Sequence, residues 1–159
     1  MDTVIEWLNK DVVLSEKIEN IPEQFANGYY FGELLYKYNQ LLEFPLGFRN
    51  QSYKNSMVEN FARVEACLRN LSVRFTVSMA QEIIAKNTDT TFLLLRALKN
   101  TLEKTQGIVD VHVLRKTGAK NMTFPVNKYN FSKERFAIIQ NEIFHKRLSN
   151  VLKPQNEVT

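Results

Sequence analysis

The sequence predicts an all-α domain followed by a C-terminal extended segment and a last helix. Three observations carry that expectation. Apolar residues recur three and four positions apart through most of residues 1–105. Proline, glycine and asparagine clusters punctuate those stretches at loop-like intervals. One segment, "VDVHVL" at 109–114, instead alternates Val109, Val111 and Val113 with Asp110 and His112, the period of a strand. Hydrophobic residues make up 44% of the 159, with 11 phenylalanines, ample for one core. The expected division is a helical domain over 1–105 and a basic extension over 106–159, holding the extended segment and a helix over 132–152.

"TVIEWLNK" opens a short helix with Val4, Ile5 and Leu8 on one face, and 11–20 is expected to connect. Pro22 suits a first helical turn, where its missing N–H costs nothing; that helix should falter at Asn27-Gly28. In "YYFGELLYKY" Phe31, Leu34, Leu35 and Tyr38 fall at i, i+3, i+4 and i+7, one buried side of a helix. Gly32 within it costs about 1 kcal/mol relative to alanine, which makes sense only where another backbone passes close. The rings crowded into "ANGYYFGELLYKYN" are therefore expected to be core and not a cofactor pocket.

Pro45 and Gly47 make 41–51 a loop. Ser52 or Asn55 is expected to cap the next helix, with Val58, Phe61, Val64, Leu68 and Leu71 inward and Glu59 and Arg63 paired outside. Thr76 or Ser78 caps a short helix that turns Ala80, Ile83 and Ile84 inward. Thr88 or Asp89 starts the most apolar helix, where Leu93 and Leu94 widen a stripe of Phe92, Leu95, Leu98 and Leu102; it is expected to be the central post, covered on most sides. "MTFPV" is a possible return strand, with Pro125 marking an edge. Ser132 caps the last helix, whose Phe136, Ile139, Ile143, Phe144, Leu148 and Val151 cover a broad face that needs a cover.

Little in the chain points to chemistry. His112 and His145 lack partners at metal-ligand spacing, so no metal and no cofactor are expected. Cys67, the single cysteine, sits on an apolar helix side and suits a small buried hydrophobe in a reducing compartment. "KTGAK" has one glycine and cannot cradle phosphates. The longest apolar run, "FLLL", is far short of the roughly 20 residues of a membrane span. The N-terminus lacks the basic-then-apolar layout of a signal peptide. The expectation is a soluble intracellular protein, not an enzyme, with no small-molecule substrate and no membrane partner.

"EWLNK", "FANGYYFGELLYKYN", "NFARVEACLRNLSV" and "AQEIIAKN…LLLRALKNTLEK", in this order, resemble the calponin-homology-like domain of the sperm flagellar protein 2 and ciliary central-pair type. The resemblance covers about 1–105, stops after Gly107, and implies a calponin-homology fold in which shorter helices wrap a long central one. It gives Trp7, Gly28 and Gly32 packing roles, and places Phe61 among the matching fold-determining positions. It also implies binding without a cofactor, to microtubules or other axonemal proteins, in the cytoplasm, the cytoskeleton and the axoneme of a cilium or flagellum. Members of this type are longer, so the chain is either a small stand-alone protein or a fragment.

Charge adds a second line of argument. Residues 1–105 hold 12 Lys/Arg against 13 Asp/Glu, whereas 106–159 hold 9 against 4. Tubulin is strongly acidic, so Lys116, Lys120, Lys128, Lys133, Arg135, Lys146 and Arg147 are the expected contacts with a microtubule or another acidic partner. The alternative is an adaptor in a ciliary transport particle or central-pair complex, without tubulin contact, that grips a partner through Phe136, Ile143 and Leu148. Nucleic acid is set aside: Phe124, Tyr129 and Phe131 interleave lysines, but no recognised module surrounds them.

Overall fold

Asn20 caps a short helix: its side chain accepts the Glu23 N–H, and Pro22 follows inside the first turn. Such local rules recur along the computed structural model, which describes residues 2–108 and 125–152. The described residues form helices α1 (Asp2–Glu6), α2 (Ile21–Gln24), α3 (Tyr29–Lys37), α4 (Lys54–Asn70), α5 (Val77–Ile84), α6 (Thr88–Ile108) and α7 (Pro125–Val151). A π-helical turn, Trp7–Val12, continues α1. There is no strand among them, so the fold is all-α; the expected extended segment at 109–114 lies outside the described residues.

Two helices organise the core. α6 buries Phe92, Leu94, Leu95, Leu98 and Leu102 and packs against α1, α2 and α5. α4 buries Val58, Phe61, Val64 and Leu68 and packs against α3 and α7. The single central post is thus a pair. Leu93 is 60% exposed, so α6 is open on one side, contrary to the cover its apolar sequence suggested. Five rings, Phe25, Phe31, Phe61, Phe75 and Phe144, run through the interior with successive centroids 4.9, 6.1, 6.0 and 5.6 Å apart.

The expected connector at 11–20 begins inside the π-helical turn, which runs to Val12, and is then held at Ser15, Glu16 and Ile18. The Asn9 amide donates to the Ile18 carbonyl and accepts the Ile18 N–H, at 2.9 and 2.8 Å. The buried Glu33 carboxylate accepts from the Ser15 N–H and hydroxyl, and the Tyr30 hydroxyl donates to Glu16 at 2.5 Å. Burial first, then that bond to Glu16, push the Tyr30 hydroxyl up to about 12. Trp7, 1% exposed, donates its indole N–H to the Tyr38 hydroxyl at 2.9 Å.

The rings near Gly32 pack against one another and against the 41–51 loop. A Cβ at Gly32 would lie 2.5 Å from the Phe48 ring, so what passes close is a side chain of the 41–51 loop and not a backbone. That loop is held by further ring contacts, Tyr29–Phe44 at 5.1 Å and Phe44–Phe48 at 5.2 Å. Gly28, at φ +88, occupies the left-handed region and lies against Asn60 and Phe61.

Several caps differ from expectation. Extended backbone reaches to Tyr53, which places neither Ser52 nor Asn55 at the start of α4; Tyr53 itself supplies no side-chain cap. Thr76 does cap α5, through the Met79 N–H. Asn87 rather than Thr88 or Asp89 accepts the Thr90 N–H at the start of α6. The last helix begins at Pro125, so Pro125 and Val126 are helical rather than an edge strand, and Ser132 is internal. Proline fits a first helical turn as readily as a strand edge.

Candidate docking surface

At the C-terminal end of α7 the sequence "NEIFHKRL" turns two kinds of side chain toward the body. Phe144 is 6% exposed and Leu148 0%, and the Phe144 ring tilts against Phe75 at the top of α5. Polar groups fix the register beside them. The Asn141 amide donates to the Ala62 carbonyl at 2.5 Å and to Glu65 at 3.3 Å. Glu65 is itself bidentate to Arg69 of the same helix. The His145 Nε2 lies 2.8 Å from Glu59, which also reaches Arg63 at 3.9 Å.

Leu148, expected on the partner-binding face, is therefore a core residue; α4 and α5 cover it, and no partner can reach it without unfolding the helix from the body. Phe136 and Ile143, expected on the same face, stay 61% and 37% exposed. The reason is angular. At 100° per residue, Phe144 and Leu148 centre on one side of α7, while Phe136 and Ile143 lie on its flank with Ile139, which is 53% exposed. Ile139 was legible as part of that flank from its 3-4 spacing alone. Nothing in the sequence singles out Asn141, and His145 stands out there only as a histidine without metal-ligand neighbours, not as the partner of Glu59.

Among the expected cationic contacts, Arg135, Lys146 and Arg147 are exposed on α7. Lys128 and Lys133 fall on the same helix, and Lys116 and Lys120 lie outside the described residues. A cleft of about 340 Å³ opens where α7 meets the start of α5, between Ile143 and Arg147 on one wall and Phe75 and Thr76 on the other, with Glu65 of α4 also lining it and held there by Arg69. A larger groove, about 720 Å³, follows the open side of α6 past Leu93 and Ala97.

Cys67 is 8% exposed, and burial pushes its thiol up to about 11, so it is protonated and unreactive near neutrality. No group of three or more His, Cys, Asp or Glu able to hold a metal occurs among the described residues. None of their helices is long and apolar enough to cross a membrane.

Residues 4–100 match the family model described as a CH-like domain in sperm protein. The chain is 25% identical to sperm flagellar protein 2 of Rattus norvegicus over 158 residues, covering 98% of this chain and 8% of that one. The same protein of Sus scrofa is 26% identical over 167 residues, covering 99% and 8%, and that of Mus musculus 28% over 105, covering 65% and 6%. The chain thus spans about 8% of the length of the first two relatives. The family model ends at residue 100, close to the expected limit of 105, whereas the rat and pig alignments run on past Gly107 through the α7 region.

Proposed function

The chain belongs to the family of the CH-like domain in sperm protein, and from that membership we propose that it is a non-catalytic structural module of the flagellar axoneme. It docks on microtubules or on axonemal proteins through the exposed side of α7. The observation that carries this reading is the similarity to sperm flagellar protein 2, which takes in both the helical body and the α7 region with Arg135, Lys146 and Arg147. The buried, protonated Cys67 agrees with a binding role.

Exposed ion pairs contribute about 0–1 kcal/mol each, so several cations must act together and attachment must weaken with salt. The test is co-sedimentation with polymerised tubulin, comparing wild type with the triple variant Arg135→Glu, Lys146→Glu, Arg147→Glu. A loss of roughly tenfold in affinity, matched by salt sensitivity of the wild type, is expected for a total of about 1.4 kcal/mol. Retention indifferent to both charge and salt would refute tubulin contact. The exposed Phe136, Ile139 and Ile143 favour a second reading, an adaptor of a ciliary transport particle or central-pair complex that holds another protein and not tubulin.

A further inference from the structure

We propose that the flank of α7 receives an acidic amphipathic helix of another polypeptide, seated along Phe136, Ile139 and Ile143 and running into the cleft beside Arg147. The proposal rests on α7 being the docking surface and names the chemistry of its partner.

Phe136, Ile139 and Ile143 stand at i, i+3 and i+7, the spacing by which one helix offers a seam to another. They are 61%, 53% and 37% exposed, and the decline follows the approach of α7 to the body. Ile143 also lines the cleft against α5, so the seam leads into a concave end and does not stop on a convex surface. An isolated exposed isoleucine needs no explanation, whereas three in register with a cleft make a continuous apolar track.

The charges beside the track select the occupant. Arg135 and Lys146 border its outer edge, and Arg147 borders it on the body side, in the cleft wall. Over 135–152 the only acid is Glu142. A partner helix with apolar residues at three-four spacing and Glu or Asp at the flanking positions satisfies both features. A second copy of this chain would bring the same excess of cations against itself, which opposes self-pairing through this seam. A disordered acidic peptide would meet the cations and leave the track uncovered.

The test uses the whole chain and a displayed library of 21-residue helices with a fixed leucine seam and randomised flanking positions. Selection on the wild type, with Ile139→Asp as the counter-target, is expected to enrich acidic flanks. Enriched helices should bind Ile139→Asp and Phe136→Asp at least tenfold more weakly, and both variants should retain the wild-type melting temperature because the replaced side chains are exposed. Lys146→Glu with Arg147→Glu should reverse the preference toward basic flanks. Enrichment of neutral or basic flanks on the wild type, or equal binding by polyglutamate, would overturn the proposal. So would sedimentation showing a dimer that Ile139→Asp dissociates. Tubulin co-sedimentation separates this proposal from the broader one: Ile139→Asp is expected to pellet normally while losing helix binding, whereas a wild type that pellets normally but enriches no helix from the library would defeat the helix proposal alone.

Discussion

Asn60 has no exposed surface, yet its amide joins three separate stretches of backbone. It donates to the Asn27 carbonyl at 3.0 Å and the Arg49 carbonyl at 2.7 Å, and it accepts the Arg49 N–H at 3.1 Å. The turn before α3, the 41–51 loop and α4 thereby share one side chain. Asn60→Ala leaves buried backbone groups without partners, each costing about 1–3 kcal/mol, so a loss of about 2–4 kcal/mol is expected in urea unfolding. A loss below 1 kcal/mol would mean that water replaces the amide. The sequence could flag Gly32, because glycine inside a helix has a known penalty that something must offset. It could not show that the offset is the Phe48 ring, sixteen residues on, since a loop's path is not periodic. Asn60 was harder still: a polar residue on a helix resembles any solvated one until the loop around it is known.

α7 shows what the hydrophobic pattern of a single element leaves open. Its apolar residues form a face too broad for one contact, and the pattern alone cannot say which part the body takes. Leu148 and Phe144 go inward, while Phe136 and Ile139 remain outside. The start of the helix was misplaced for a related reason, because Pro125 is compatible with two local structures and Ser132 resembles a cap without being one. By contrast, α3 and α4 lie where their three-four spacing puts them, since each has one dominant apolar stripe, whereas α6 lies in place but leaves open the side that Leu93 occupies. The division on α7 is measurable. Leu148→Ala should cost about 2–5 kcal/mol through the cavity it opens, whereas Ile139→Ala should stay within about 0.5 kcal/mol. Equal losses at the two positions would place both side chains in the same environment and contradict the assignment of faces.

On the scale of the whole molecule, the line of rings from Phe25 to Phe144 makes α7 part of the core of the body rather than an arm beside it. Fully burying a leucine or phenylalanine is worth about 1.5–3 kcal/mol. Phe144 and Leu148 together then contribute about 3–6 kcal/mol, a large share of the 5–15 kcal/mol typical of a domain. A chain ending at residue 108 should accordingly melt on the order of 10–20 °C below the full chain and bind an apolar dye through the uncovered Phe75. An unchanged melting temperature would show that the body closes over Phe75 and Ala62 by itself. This bears directly on how attachment must be tested. Removing the C-terminal region would abolish retention both if it carries the contact and if the body merely loosens without it. Charge reversal at Lys146 and Arg147 avoids the ambiguity, because both side chains are exposed on a helix whose inner side, with Phe144 and Leu148, stays packed. The informative result is therefore a variant with the melting temperature of the wild type and weakened retention; the same loss accompanied by a lowered melting temperature would trace to the core and not to the docking surface.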